Sequence, residues 1–316
     1  MITFRYHVVT IVSVFLALAI GIALGGGPLK GEVDNSLVTQ VETDRQTIGT
    51  LRGQITGLEV ATDYNDDVVR TVAPSVLGDR LAGRPVAVVA LPGASATVVS
   101  EITTMVEEAG GTIGGTYRAG EALLDPEQRA LADQLGDQLA ADTPGVALPE
   151  GASGYERVGA LLARAIATTE DAGAEVDDAS DGILAGLGTA SLFTAEGDVS
   201  QRASLVLVLA GSAEQLPAGA ERVTLALARA VAAGSGGVVI GGPTNSARPG
   251  GLVAAVRADV GGARELSTVD SVNRAAGRLA AVLALGARAR GEIGHHGAVD
   301  AADGVVPDPA EVVGED

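Results

Sequence analysis

The side chains with the most distinctive chemistry in this 316-residue chain are its three histidines: His7 and the adjacent pair in Gly294-His295-His296-Gly297. Neutral imidazole suits Cu(II) and other first-row divalent ions. Two neighbouring imidazoles can converge on one ion from a loop, whereas on a strand they point apart. His295 and His296 are therefore the candidate metal ligands, with a solvated turn as the competing reading. A nucleophilic triad would need a histidine next to a hydroxyl, and none of the three is near a candidate nucleophile in sequence. The chain has no Cys, which excludes thiol catalysis and thiolate metal sites, and only Met1 and Met105 offer thioether sulfur. Its single lysine is Lys30, so no GxxxxGK phosphate loop exists. Neither does a GxSxG nucleophile turn. Three glycine-bearing segments remain: Pro92-Gly93-Ala94-Ser95, Gly211-Ser212 and Gly241-Gly242-Pro243-Thr244-Asn245. Glycines and small hydroxyls at a helix start can hold an anion, and any tight strand-to-helix turn needs the same residues. The first segment lacks the GxGxxG spacing of a dinucleotide site. The acids are abundant but scattered, and no catalytic constellation emerges. The sequence reads as a non-enzyme without a bound cofactor.

Those three segments each follow a run that reads as a buried strand. Pro85–Leu91 and Leu205–Ala210 are continuously apolar, as strands covered on both faces are, and Val238–Ile240 repeats the pattern. Between and around them lie helical stretches at Ala96–Glu108, Tyr155–Thr168, Ala179–Ala190, Pro217–Ala233 and Ala275–Arg290. Asp125-Pro126 opens a further helix, with Asp at the cap and Pro in the first turn. Strands are expected near Thr112–Arg118 and Glu265–Thr268. Alternation of this kind implies an α/β fold, with a mostly parallel sheet between two helical layers, hence a three-layer Rossmann-like domain over residues 85–290. Residues 67–84 read as a linker and hinge because Pro74 and Gly78 interrupt them, with a short helix expected over Val68–Leu81. Residues 291–316, rich in Gly, Pro and acids, read as a disordered acidic tail.

The N-terminal part follows other rules. Val8–Leu24 carries no formal charge over seventeen residues. At 1.5 Å per residue it spans about 25 Å, and with Gly25–Leu29 it reaches the hydrocarbon thickness of about 30 Å. In lipid the backbone must pair within the segment, so a helix is expected and residues 1–29 read as a tail and membrane anchor. A cleaved secretory signal ending near Ala23-Leu24-Gly25 competes with this reading, but the run exceeds the usual signal core. Arg5 before the segment and Lys30 after it place the N-terminus in the cytoplasm and the bulk of the chain outside. Which membrane holds a single-pass anchor is left open. Gly21 and Gly25 form a GxxxG pair that lets two membrane helices approach. Beyond Lys30, Leu37, Val41, Asp44, Ile48, Leu51, Ile55 and Leu58 fall at alternating spacings of four and three. They form the seam of a short coiled-coil helix over residues 30–66. Gly21, Gly25, Leu37, Val41, Ile48, Leu51, Ile55 and Leu58 are thus the candidate oligomerisation residues. A single amphipathic helix packed on its own domain is the alternative. The expected partners are membrane lipid and further copies of the chain. A formal net charge of −19 argues against nucleic acid.

Several motifs together resemble one family. Phe4-Arg5-Tyr6-His7-Val8-Val9 running into the apolar segment, Arg80-Leu81-Ala82-Gly83-Arg84-Pro85-Val86 leading into the first strand, and Val269-Asp270-Ser271-Val272 followed by Gly294-His295-His296-Gly297 are similar to the MctB copper-transporter family of actinobacterial envelopes. The resemblance implies a part in copper efflux and copper homeostasis, with copper as transported ion and a pore as the mechanism proposed for the family. The residues favour another mechanism, because Cu(I) prefers sulfur ligands and one spanning helix cannot enclose a channel. A structural or scaffolding envelope protein, acting through its coiled coil and α/β domain without conducting ions, is the alternative expectation. An anchored hydrolase or nucleotide-dependent enzyme is a third.

Overall fold

A computed structural model describes residues 4–26, 29–146, 148 and 151–308. The chain divides into two units, one ending at Asn65 and the other beginning at Asp66.

In the first unit, helix α1 (Phe4–Gly26) contains a stretch, Phe4–Gly25, long and apolar enough to cross a membrane. Its two polar side chains near the middle spend their hydrogen bonds inside the helix: Thr10 Oγ1 donates to the Tyr6 carbonyl and Ser13 Oγ to that of Val9. Helix α2 (Leu29–Leu77) follows, and the boundary between the units falls within it. Leu37, Val41, Ile48, Leu51, Ile55 and Leu58 lie along α2 at 46–67% exposure. Asp44, at the polar break in this stripe, accepts a hydrogen bond from Gln40 Nε2.

The helical part of the segment expected as a short helix and hinge is continuous with the helix before it: α2 runs through Pro74 to Leu77. Proline removes one helical hydrogen bond, but packing outweighs that loss here. Ala73 and Leu77 are buried with Leu81 in the second unit's core, and Val69 and Val76 pack against it. Asp66 adds a polar tie, its Oδ1 accepting from the Ala275 N–H and its Oδ2 pairing with Arg274. Gly78, at φ +48°, ends the helix by adopting the left-handed conformation.

The second unit is mixed α/β. Strand β1 (Pro85–Ala90) leads through α3 (Ala96–Glu108) to β2 (Thr112–Ala119). Short α4 (Glu121–Leu124) and a 3₁₀ turn capped by Asp125 introduce α5 (Arg129–Asp142). Then come α6 (Gly154–Ile166), α7 (Asp178–Thr189) and an edge strand, β3 (Phe193–Ala195). The second half runs β4 (Leu205–Leu209), α8 (Ala220–Ala233), β5 (Gly237–Gly241), α9 (Leu252–Ala258), α10 (Gly262–Glu265) and β6 (Ser267–Val269). It closes with α11 (Ala275–Ala289) and β7 (His295–His296). The seven-stranded sheet has the order β3-β2-β1-β4-β5-β6-β7, parallel throughout except for β3.

Period-two alternation sorts the strands into two cores. Ala87, Val89, Val206, Val208, Val238 and Ile240 face one, with α5 to α9; Val86, Val88, Leu205, Leu207, Leu209 and Val239 face the other, with α3, α11 and the end of α2. In an aromatic-poor chain the first core is filled by a stacked pair, Tyr117 and Phe193, with ring centroids 5.3 Å apart.

Residues 291–308 correct the expectation of a disordered tail from 291 onward. Thr268 and Val269 of β6 pair in parallel with His295 and His296. The segment beyond β7 is held by side chains described below. Residues 309–316 lie outside the described residues.

Candidate functional site

The connections alternate across the sheet in a way that opens a crevice. After β1 the chain passes over one face as α3, and the sheet then grows outward to β2. After β4 it passes over the other face as α8, and the sheet grows the opposite way to β5 and β6. The loops after β1 and β4 therefore part, and in open parallel sheets this reversal point is where ligands sit. A cavity of about 380 Å³ occupies it, lined by residues from all three glycine-bearing segments of the sequence, Gly93 to Ser95, Gly211-Ser212 and Pro243 to Asn245. Val98, Leu209, Ala210 and Val272 supply apolar lining, and Gln215 and Asn273 join the wall.

Close backbone approach explains the glycines. A Cβ on Gly211 would lie 2.5 Å from the Pro92 carbonyl oxygen, and one on Gly93, at φ +78°, would meet the Gln215 side chain at 2.7 Å. The polar wall is organised by two carboxamides. Gln215 Oε1 accepts from the Ser212 N–H at 3.1 Å and from Ser212 Oγ at 3.0 Å. Asn273 Oδ1 accepts from the Thr244 N–H at 3.1 Å and from Thr244 Oγ1 at 3.3 Å. Ser95 stands at the N-cap of α3 without capping it, and Asn245 Oδ1 is buried without a hydrogen-bond partner. No ionised side chain lines the crevice.

A second polar cluster lies beyond β6 and contains the histidine pair. Asp270, fully buried, accepts from Ser271 Oγ and the Ala298 N–H through Oδ1, both at 2.7 Å. Its Oδ2 faces Arg257 Nη1 at 3.1 Å and the Val299 N–H at 3.3 Å. Arg257 also donates to Thr268 Oγ1 and to the carbonyls of His296 and Val299. Thr268 Oγ1 lies 2.9 Å from His295 Nδ1, and His295 Nε2 lies 3.0 Å from the Ala263 carbonyl oxygen. That carbonyl can only accept, so the neutral His295 ring carries its proton on Nε2 and takes the threonine hydroxyl proton at Nδ1. Both ring nitrogens are thus committed.

His296 is 7% exposed, with Nδ1 buried and unpartnered. Burial pushes its imidazole below the ordinary value, and Asp303 pulls partly in the other direction. The flanking glycines have steric reasons. A Cβ on Gly294 would lie 2.4 Å from His296 Nε2, and one on Gly297 would lie 2.1 Å from Asp270 Oδ2. On β7 the two rings project to opposite faces. Among the described residues no group of three or more His, Asp or Glu side chains is placed to hold a metal ion.

The other candidate residues lie in the first unit. Gly21 and Gly25 are open, with nothing within 4 Å of a Cβ built on either, and the six apolar seam residues of α2 face outward. Sequence reasoning missed Gln215 and Asn273, which belong to no motif. It met Asp270 only inside a motif, without a role, and missed Arg257, because their pairing across 13 residues leaves no periodic trace.

Nearly all of the chain is similar to proteins of one family. The model of the family "Copper transport outer membrane protein, MctB" matches residues 1–307. The proteins named Copper transporter MctB from Mycobacterium tuberculosis and Mycobacterium bovis are 28% identical over 309 residues, covering 94% of this chain and 96% of theirs. The protein of that name from Mycobacterium leprae is 27% identical over 295 residues, covering 90% of this chain and 92% of its own.

Proposed function

The chain belongs to the MctB family, and from that premise we propose that it is a membrane-anchored envelope protein of copper homeostasis that works as a homo-oligomer, copper being the ion whose cellular level it controls and not a resident cofactor. The single observation that carries the reading is full-length similarity to proteins named copper transporters. The mode of action rests on the first unit. A single-pass anchor in α1 would hold the chain at the membrane, the bulk of it extracytoplasmic. The GxxxG pair of Gly21 and Gly25, and then the Leu37-to-Leu58 stripe, would join copies as a parallel coiled coil, since all copies enter from one side. Six exposed apolar side chains at heptad spacing on one helix support this pairing. The second unit, with its strand order and crevice, is read as a Rossmann-like binding domain without catalytic activity.

Copper content of a deletion strain, measured with and without the restored gene, tests the reading. Loss of the gene is expected to raise cellular copper, and restoring Ile48→Asp, Leu51→Asp is expected to leave it raised. Unchanged copper in the deletion strain would remove the copper role. Full rescue by the double variant would remove the oligomer from the mechanism. A second reading, a scaffold with no ion conduction of its own, is favoured by the commitment of both His295 nitrogens to protein groups. It is separated from transport by whether purified protein moves copper across a vesicle membrane.

A further inference from the structure

The crevice between the ends of β1 and β4 carries none of the ligands copper needs, yet its polar groups are arranged with one bias. We propose that it binds a small ligand through a carboxylate that has an N–H or O–H group close by. The bias is an excess of unspent donors. A backbone N–H can only donate, so the bonds from Ser212 and Thr244 fix Gln215 Oε1 and Asn273 Oδ1 in place. Each carboxamide therefore keeps its NH₂ group out of that anchoring bond, and both residues line the crevice, where the NH₂ groups are the donors they can offer a ligand. Ser95 adds a hydroxyl that caps nothing, at the start of the 13-residue helix α3. The first N–H groups of that helix have no acceptor within it.

Charge selects among acceptors. The lining has no Arg or Lys, and phosphate recognition ordinarily draws on such side chains. Neutral donors suit a monoanion better, which favours a carboxylate. One group has the opposite polarity: Asn245 belongs to the same lining, and its Oδ1 has no hydrogen-bond partner. A turn of that side chain toward the crevice would let the oxygen accept from a donor on the ligand. Val98, Leu209 and Val272 give the carbon skeleton an apolar surface, and about 380 Å³ lies within the size range of small-molecule sites.

The test uses the full-length chain in detergent micelles, with N-acetylalanine as probe and calorimetry or ligand-observed NMR as readout. Saturable binding in the millimolar range is expected, with N-acetylalaninamide and inorganic phosphate each weaker by about tenfold or more. Gln215→Glu and Asn273→Asp keep the anchoring oxygen and shape but replace the NH₂ donor with a carboxylate oxygen. Each should weaken N-acetylalanine by about tenfold or more, without lowering the melting temperature. Equal binding of acid and amide, tighter binding of phosphate, no saturable binding of N-acetylalanine, or unaltered binding in both variants would each overturn the proposal. The probe comparison uses unmodified protein, so it decides the matter even if a variant fails to fold.

Discussion

Asp270→Asn is the sharpest perturbation of the second unit, because it changes one atom and keeps the volume. The carboxylate is fully buried and accepts four hydrogen bonds, two at each oxygen. An asparagine must put its NH₂ at one of those positions. At Oδ1 it meets the Ala298 N–H; at Oδ2 it meets Arg257 and the Val299 N–H. Donor faces donor either way, and the Arg257 guanidinium, only 12% exposed, loses its counter-charge. Removing one partner of a buried ion pair costs about 3–5 kcal/mol. For a domain of this size each kcal/mol moves the melting temperature by about 2–4 °C, so a drop of roughly 10 °C is expected. Hydrogen exchange should show where the loss is felt, as faster exchange of the Ala298 and Val299 amides. Arg257→Met in the same background should recover part of the loss, since no unpaired charge is then buried. A variant within about 1 kcal/mol of wild type, with these amides still protected, would refute the assignment of Asp270 as the anchor of the C-terminal segment.

Ile48→Asp with Leu51→Asp places charge at consecutive seam positions and should convert an oligomer to monomer in analytical ultracentrifugation of the micellar protein; an unchanged sedimentation state would refute the seam. His296 supplies a pH dependence whose sign follows from its lowered pKa. The unfolded chain takes up the proton first, so the contribution to stability is complete above about pH 6.5 and declines as pH falls through that value toward the folded pKa. The melting temperature should therefore decline on acidification below that point, and His296→Phe should flatten the decline; identical pH profiles would refute the link.

How much of this could be read in advance depended on burial. β1, β4 and β5 are covered on both faces, so Val86 to Ala90, Leu205 to Leu209 and Val238 to Ile240 appear as unbroken apolar runs. β3 and β7 sit at the sheet's edges, with three and two residues, and carry no such mark. His295 and His296 look like a solvated turn because nothing local announces that Thr268, Ala263 and Asp270 await them. Pro74 reads as a break because the packing that retains it, through Ala73 and Leu77, is tertiary. The crevice was legible in pieces: each loop was visible as glycine and small hydroxyls after a strand. That the three meet follows only from the strand order. Gln215 and Asn273 acquire meaning only from the backbone N–H groups they hold.

Conduction is where the family's name and the side chains bear most directly on each other. A pore made by copies of α1 would be lined by whatever that helix turns inward. Between Val8 and Leu24 its polar side chains are Thr10 and Ser13, and both donate to carbonyls of their own helix four residues back. An assembly drawn together by Gly21 and Gly25 would turn glycine, and not a ligand, toward its neighbours. Such a lumen is a hydrophobic constriction, the kind that closes by losing its water, and a metal cation entering it would find no imidazole, carboxylate or sulfur to replace its hydration shell. The expected result is that purified protein in planar bilayers gives no copper-dependent current, while its absence still alters cellular copper through a partner or through the organisation of the envelope. Step-like currents that rise with copper and disappear on Gly21→Ile would overturn this argument, because they would require α1 to line a hydrated path.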